Sequence, residues 1–451
     1  MTTQGHMEAA RIERLYLDFD SFFASAEQHL NPELRGKPVG VVPLDSPLTG
    51  CIAVSREAKE RGVKSGATIK DARRQVPEMI FVVARHDVYV RLHNRILAVI
   101  ETCLPVADVR SIDEVVCHLL PGEAREGPAL AQRIKTALSQ NFSPCLTCSI
   151  GMAPTELLAK IGAEMNKPDG FALIQSSDLP ICLERLKLND LPGISSGMEA
   201  RLNKAGVQDL CSLWQLAPKQ ARAIWGSVEG ERFWNELHGV HSQRPETIKR
   251  MFGHSRMLPL NWRTSEKVCD CAQQLTTSAC RRLRRADLRA TKLSLGFRGG
   301  GYRSADGSKN DDLRWNWEAS VLPARDDHTF LSELKKGLQA AQDTMKFKPR
   351  SVSVMLHGLI SDDDITGDLF ADLLNGIDGK SIKEDQQRWE NVSDVLDKLR
   401  ATHGPEAITL GPNTEVPGGY LGAKIAFGRI PDTADFGKAQ VADDATHFCR
   451  F

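Results

Sequence analysis

The segment Leu17-Asp18-Phe19-Asp20-Ser21-Phe22-Phe23 places the tightest constraint on the fold. Residues 12–19 set Ile12, Leu15, Leu17 and Phe19 among polar or mixed positions, which reads as a strand. Residues 21–30 read as a helix stopped by Asn31-Pro32. On a strand, Asp18 and Asp20 point to one face while Leu17 and Phe19 point to the other. Carboxylates at a strand end either form the turn or hold something.

A second acidic cluster, Ser111-Ile112-Asp113-Glu114, precedes the apolar pair Val115-Val116. Neighbours in a regular strand face opposite ways, so Asp113 and Glu114 share a site only at a turn or bulge. Gathered carboxylates raise one another's pKa unless a cation neutralises them. Hard oxygen donors suit Mg²⁺ or Mn²⁺. Two such ions about 4 Å apart activate a hydroxyl and stabilise a leaving oxygen in phosphoryl transfer. An acidic pair is also an ordinary turn former, and spacing alone does not bring the clusters together.

Strands at 38–43, 115–120 and 146–150 and helices at 55–61, 69–75, 88–104, 128–139 and 155–165 mix without regular βαβ alternation, which predicts an α+β class. Residues 175–243 read as helical, with a tight turn at Leu191-Pro192-Gly193-Ile194. Residues 249–360 return to mixed character: helix 266–285, then strands near 293–297 and 352–356. Residues 361–451 are acidic, then helical over 384–399, then rich in Gly and Pro.

The 451 residues suffice for about three domains. No window approaches 18 unbroken apolar residues, so no membrane span is expected. Residues 1–10 lack the pattern of a secretory signal. Eleven scattered cysteines read as reduced thiols of a cytosolic protein. The 58 basic and 58 acidic residues cancel, but not locally. Arg281, Arg282, Arg284, Arg285, Arg289, Lys292 and Arg298 crowd one stretch, and Asp362, Asp363, Asp364, Asp368, Asp372 and Asp378 follow downstream. The basic stretch suits either a phosphate backbone or a solvated helix face.

Five motifs in order resemble the Y-family (DinB/UmuC-like) translesion DNA polymerases. The first runs from Leu17 to Glu27, with Asn31-Pro-Glu-Leu-Arg-Gly-Lys-Pro-Val39 after it. Ser111-Ile-Asp-Glu114 is similar to the second. Ser149-Ile-Gly-Met-Ala-Pro154, Leu158-Ala-Lys-Ile161 and Asn166-Lys-Pro-Asp-Gly170 are similar to the third. Leu191-Pro-Gly-Ile194 resembles the thumb's helix-hairpin-helix, and Trp225-Gly-Ser-Val228 with Gly230-Glu-Arg-Phe-Trp234 fits that region. The resemblance covers about residues 12–360.

It implies a right-hand polymerase: a ferredoxin-like palm (12–29 and 87–174), small fingers (30–86), a helical thumb (175–243), an α/β little finger (249–360) and a C-terminal tail (361–451). It implies primer-template DNA and a dNTP as substrates, two Mg²⁺ ions and a cytoplasmic, nucleoid-associated bacterial enzyme. Asp18, Asp113 and Glu114 fall on the metal-binding carboxylates, with the Phe19 carbonyl as a backbone ligand. Phe23 falls on the steric gate against ribonucleotides, with Phe22 beside it at the substrate. Lys167 falls on a lysine that contacts the triphosphate. Arg56 and Lys59 stand in the fingers where the family usually carries Tyr and Arg, so Lys59 keeps a charge without the bidentate fork. Ser195 stands where a second thumb glycine is common. Asp368-Leu369-Phe370 resembles the end of a sliding-clamp-binding peptide, with Thr366 and Gly367 departing from it. A non-catalytic mutasome adaptor of the same fold is the alternative, but such relatives lack the metal carboxylates that this chain keeps. A nucleotide cyclase sharing the palm would not account for the thumb motif.

Cys145 and Cys148 supply two ligands where zinc needs four and read as structural, as do Cys269 and Cys271. Trp315 and Trp317 read as sheet-packing residues, with base stacking as the other use.

Overall fold

The computed structural model describes residues 11–245 apart from 44 and 48, residues 248–299, 313–364 and 379–403, and positions 408, 410, 430, 431 and 433. The chain divides between Pro245 and Glu246 into two compact units.

The first unit runs β1 (Arg14–Phe19), α1 (Phe22–Leu30), β2 (Val39–Val42), β3 (Ala53–Val54), α2 (Arg56–Glu60), α3 (Ile69–Gln75), β4 (Ile80–Val83), α4 (His86–Glu101), β5 (Asp108–Val109), β6 (Glu114–His118), α5 (Pro121–Arg125), α6 (Gly127–Asn141), β7 (Cys148–Ala153), α7 (Glu156–Met165) and β8 (Phe171–Leu173). The helices α8 (Ser196–Lys204), α9 (Leu210–Trp214), α10 (Pro218–Trp225) and α11 (Val228–Leu237) follow. The larger sheet has the order β5-β6-β1-β7-β8, and β2 lies between β3 and β4 in a smaller one. β1 is central and buried from Leu15 to Phe19. It pairs antiparallel with β6 on one side and with β7 on the other.

Helix α7 crosses this sheet at close range. A Cβ at Gly151 would fall 1.9 Å from the Ala159 carbonyl oxygen. Glycine is required there because the helix backbone occupies the space of any side chain. Leu158 and Ile161 of α7 join Tyr16, Val116, Leu191, Leu202, Phe233 and Leu237 in one apolar cluster. Helices α8–α11 thereby share a core with the sheet, and Thr155 Oγ1 donates to the Glu236 carbonyl at 2.8 Å.

The second unit contains β9 (Met251–Met257), α12 (Ser265–Arg285), β10 (Leu288–Gly299), β11 (Leu313–Ala324), α13 (Asp327–Thr344), β12 (Ser351–Ser361) and α14 (Gly379–His403). The strands form an antiparallel sheet ordered β11-β10-β12-β9. Leu293, Leu295 and Phe297 meet Leu275, Leu283, Phe330 and Leu334 of α12 and α13 in its core. Trp317 packs against this core, and a Cβ at Gly337 would fall 2.6 Å from its indole. Trp315 also packs there, with its N–H on Thr344 Oγ1 at 2.9 Å. Both indoles therefore serve the sheet.

The arginine-rich stretch faces acids. Arg284, 4% exposed at its side chain, reaches Asp327 Oδ1 at 3.0 Å and Asp397 Oδ2 at 2.7 Å. Arg289 pairs with Asp362 and Glu390, and Arg325 donates to Glu390 Oε2 at 3.2 Å. Helix α14 supplies Glu390 and Asp397, stacks Trp389 on His328 at 4.0 Å, and accepts the Asp327 N–H on Ser393 at 3.1 Å. Several arginines that the sequence offered to a phosphate backbone thus dock the acidic segment instead. Burial demands a partner for each guanidinium, and the nearest anions lie downstream in the same chain.

Candidate active site

Asp18 and Glu114 are register partners in the β1–β6 pairing. Asp113 directly precedes β6, and the Phe19 N–H donates to its carbonyl at 2.9 Å. The turn required to bring Asp113 and Glu114 to one place is present: Ser111 N–H donates to the Glu114 carbonyl at 3.3 Å. Ser111 Oγ donates to Asp113 Oδ1 at 2.5 Å and to Glu114 Oε2 at 3.1 Å. One hydroxyl thereby holds the two side chains together.

Two lysines meet these acids. Lys167 Nζ lies 2.6 Å from Asp18 Oδ1 and 3.0 Å from Glu164 Oε1. Lys160, from α7, pairs with Glu114 and lies over the Tyr16 ring. Burial lifts the Asp18 carboxyl to about 8 despite the opposing Lys167 ammonium. Burial also raises Asp113, against the hydrogen bond from Ser111. Burial works against the charge of Lys167, but Asp18 and Glu164 outweigh it and hold the ammonium on. Among the described residues, no three His, Cys, Asp or Glu side chains are gathered closely enough to hold an ion. By donor type, though not by present spacing, the set fits a hard divalent cation: Asp18 and Asp113, whose carboxyls burial raises, and Glu114 beside them offer hard oxygen ligands. The lysines supply the positive charge in this arrangement.

Phe22 is 2% exposed, with its ring in the core. Phe23 is half-buried, with its ring 4.9 Å from that of Tyr89. Beneath it lies a buried acid that the sequence reading left without a role. Glu27 accepts from Arg85 Nη2 at 2.6 Å and from the Tyr89 hydroxyl at 2.7 Å. Its clue in the sequence was a charge on the apolar face of α1. Arg56 and Lys59 are exposed on α2, where Arg56 pairs with Glu60 at 2.8 Å. The helix is capped by Ser55.

The turn at Gly193 has φ 91°, a left-handed conformation suited to glycine. Ser195 caps α8, accepting the Met198 N–H at 3.4 Å. That cap accounts for serine at a position where the motif often has glycine. Cys148 is buried on β7, and burial pushes its thiol up. Cys145 and Cys148 are both free. Asp368, Leu369 and Phe370 lie outside the described residues. Among those described, no helix is long and apolar enough to cross a membrane.

The profile of the impB/mucB/samB family matches residues 17–164, and that of its C-terminal domain matches residues 249–369. A DNA polymerase IV of Moorella thermoacetica is 33% identical over 281 residues, covering 60% of this chain and 69% of that protein. One from Saccharolobus solfataricus is 31% identical over 258 residues, covering 56% and 72% respectively. Among solved structures, a Y-family DNA polymerase chimera of Dbh and Dpo4 superposes with a TM-score of 0.63 at 22% identity. It covers 78% of this chain and all (100%) of its own. The insertion ternary complex of Dbh DNA polymerase gives 0.51 at 24% identity over 78% of this chain and 100% of its own. These superpositions concern the fold.

Proposed function

The chain belongs to the impB/mucB/samB family of Y-family, DinB-like translesion DNA polymerases, and we propose that it extends a primer 3′ end from the carboxylate site at Asp18, Asp113 and Glu114. The observation that carries this assignment is the register of Asp18 against Glu114, with Asp113 held beside Glu114 by Ser111. A buried acidic cluster is costly to a fold unless cations use it.

Asp18, Asp113 and Glu114, with the Phe19 carbonyl, would hold two Mg²⁺, which when bound lower the pKa of the primer hydroxyl and offset charge on the α-phosphate. Lys167 binds the triphosphate, leaving Asp18 as a phosphate oxygen arrives. Lys160 leaves Glu114 in the same exchange of counter-ions. Phe23, backed by Tyr89, excludes a 2′-hydroxyl by contact. Arg56 and Lys59 add diffuse positive charge from α2 to the phosphates.

In this reading, residues 12–29 and 87–174 are the palm, 30–86 the fingers, 175–243 the thumb and 249–360 the little finger. The backbone N–H groups at Gly193 approach a DNA phosphate. In β10, Leu293, Leu295 and Phe297 face the core, so Lys292 and Arg298 project from the other face. Those cations take the DNA-binding role that Arg284 and Arg289 have given up to α14. Asp368-Leu369-Phe370 would dock in a sliding clamp, as an apolar pair in an acidic context. The setting is the bacterial cytoplasm at the nucleoid.

Retention of all three carboxylates argues against a non-catalytic adaptor. Single-nucleotide insertion with Mg²⁺ tests the assignment: the parent inserts the templated dNMP, and inability to insert any would refute it.

A further inference from the structure

Asp20 has no place in the scheme above, yet its side chain ties the start of β7 to the loop that bears Lys167. Its Oδ1 accepts from Ser149 Oγ at 3.0 Å. Its Oδ2 accepts from Thr147 Oγ1 at 2.9 Å and from the Asp169 N–H at 2.8 Å. The side chain is buried, and its two oxygens are committed to neutral donors. A turn-forming aspartate would bond within its own turn. These bonds instead reach more than a hundred residues along the chain.

The loop they reach needs support. Asp169 has φ 52°, a left-handed backbone that costs a non-glycine residue energy. A Cβ at Gly170 would fall 2.0 Å from the Asn166 carbonyl oxygen, so the chain doubles back tightly. The Gly170 N–H donates to Ser149 Oγ at 3.3 Å, and the Ile150 N–H donates to the Gly170 carbonyl at 3.1 Å. From α6, Lys135 reaches Asp169 Oδ1 at 2.8 Å. Asp20 thus sits at the centre of the clamp, bonded to Thr147 and Ser149 on the sheet side and to the Asp169 N–H on the loop side. Two residues before Asp169, Lys167 emerges toward Asp18.

We propose that Asp20 is a positioning residue for nucleotide binding. It pins residues 166–170 against β7 and so fixes where the Lys167 ammonium meets the triphosphate. The inference rests on the reading of Lys167 as a dNTP contact. A charged acceptor suits the task because its hydrogen bonds are stronger than those of a neutral one. Asparagine has the same shape but no charge and one acceptor oxygen, and its amide would either oppose the Asp169 N–H or require a hydroxyl to turn from donor to acceptor.

The test is steady-state insertion by Asp20→Asn, Lys167→Ala and the double variant, with hydrogen exchange of residues 166–170 and primer-template affinity measured alongside. Loss of a hydrogen bond to a charged group is worth roughly a ten- to hundredfold change. The dNTP KM of Asp20→Asn should rise by about that factor, with kcat far less affected and primer-template affinity unchanged. Exchange at 166–170 should quicken. The double variant should be no worse than Lys167→Ala alone, because Asp20 acts through that lysine. An unchanged KM in Asp20→Asn, unchanged exchange in the loop, or penalties that multiply in the double variant would each overturn the inference. If Lys167→Ala itself left the dNTP KM unchanged, the reading of Lys167 would fail, and this inference with it.

Discussion

Asp18 stands opposite Glu114 in the β1–β6 pairing, and each carboxylate is met by a lysine, Lys167 on the first and Lys160 on the second. The acids come from two strands far apart in sequence, and the lysines come from α7 and the loop after it. The close crossing of α7 over Gly151 holds the helix that carries Lys160 against the sheet. The site is therefore a product of sheet register and of one glycine under one helix.

Burial of Asp18 has a consequence for stability without metal. Its folded pKa, about 8, lies above its unfolded value near 3.8. Between those values the folded protein keeps a proton that the unfolded chain has released, so rising pH favours unfolding. In chelator, the thermal midpoint should fall as pH rises from 5 to about 8. Asp18→Asn should flatten that part of the curve. A slope that is the same in both proteins would show that Asp18 does not carry it.

Phe23→Ala should admit ribonucleotides. A hydroxyl forced against a fixed ring costs about 1–3 kcal/mol, so the rNTP/dNTP preference should shift by roughly five- to a hundredfold. Competing insertion of rNTP and dNTP measures it. An unchanged ratio would make Phe23 a packing residue resting on Tyr89.

Glu390→Ala should loosen α14. Glu390 is 3% exposed at its side chain and takes both Arg289 and Arg325. Arg289 keeps Asp362 and Arg325 keeps Asp287, so the loss is of one charge-assisted partner for each, about 1–3 kcal/mol. The thermal midpoint should drop, and protease should cut within 379–403 sooner. A midpoint and cleavage rate equal to those of the parent would mean that α14 is held by its other contacts.

Much of this was legible in the sequence. The strand-to-helix switch at residues 19–22 and helices α2, α3 and α7 were readable because periodicity and caps agreed there. The carboxylate pairs were legible as residue types, but their meeting was not, since register between β1 and β6 is a long-range property. Helix α13 was missed although Phe330, Leu334, Leu338 and Ala341 repeat at helical spacing. The basic stretch was read as either a phosphate-binding surface or a solvated helix face. Arg284 and Arg289 are instead paired inward with acids as distant as Asp397 and Glu390, which local spacing does not reveal. Glu27 was quoted within a motif, but its burial under Phe23 depends on Arg85 and Tyr89 from α4 and the residue before it.

The most direct measurement is single-nucleotide insertion on a primer-template with Mg²⁺ by the parent and by Asp113→Ala with Glu114→Ala, with DNA affinity determined for both. The double variant should lose insertion while binding the primer-template as the parent does, because the carboxylates serve the chemistry and the basic surfaces hold the DNA. Insertion by the double variant at the parental rate would contradict the assignment of the site.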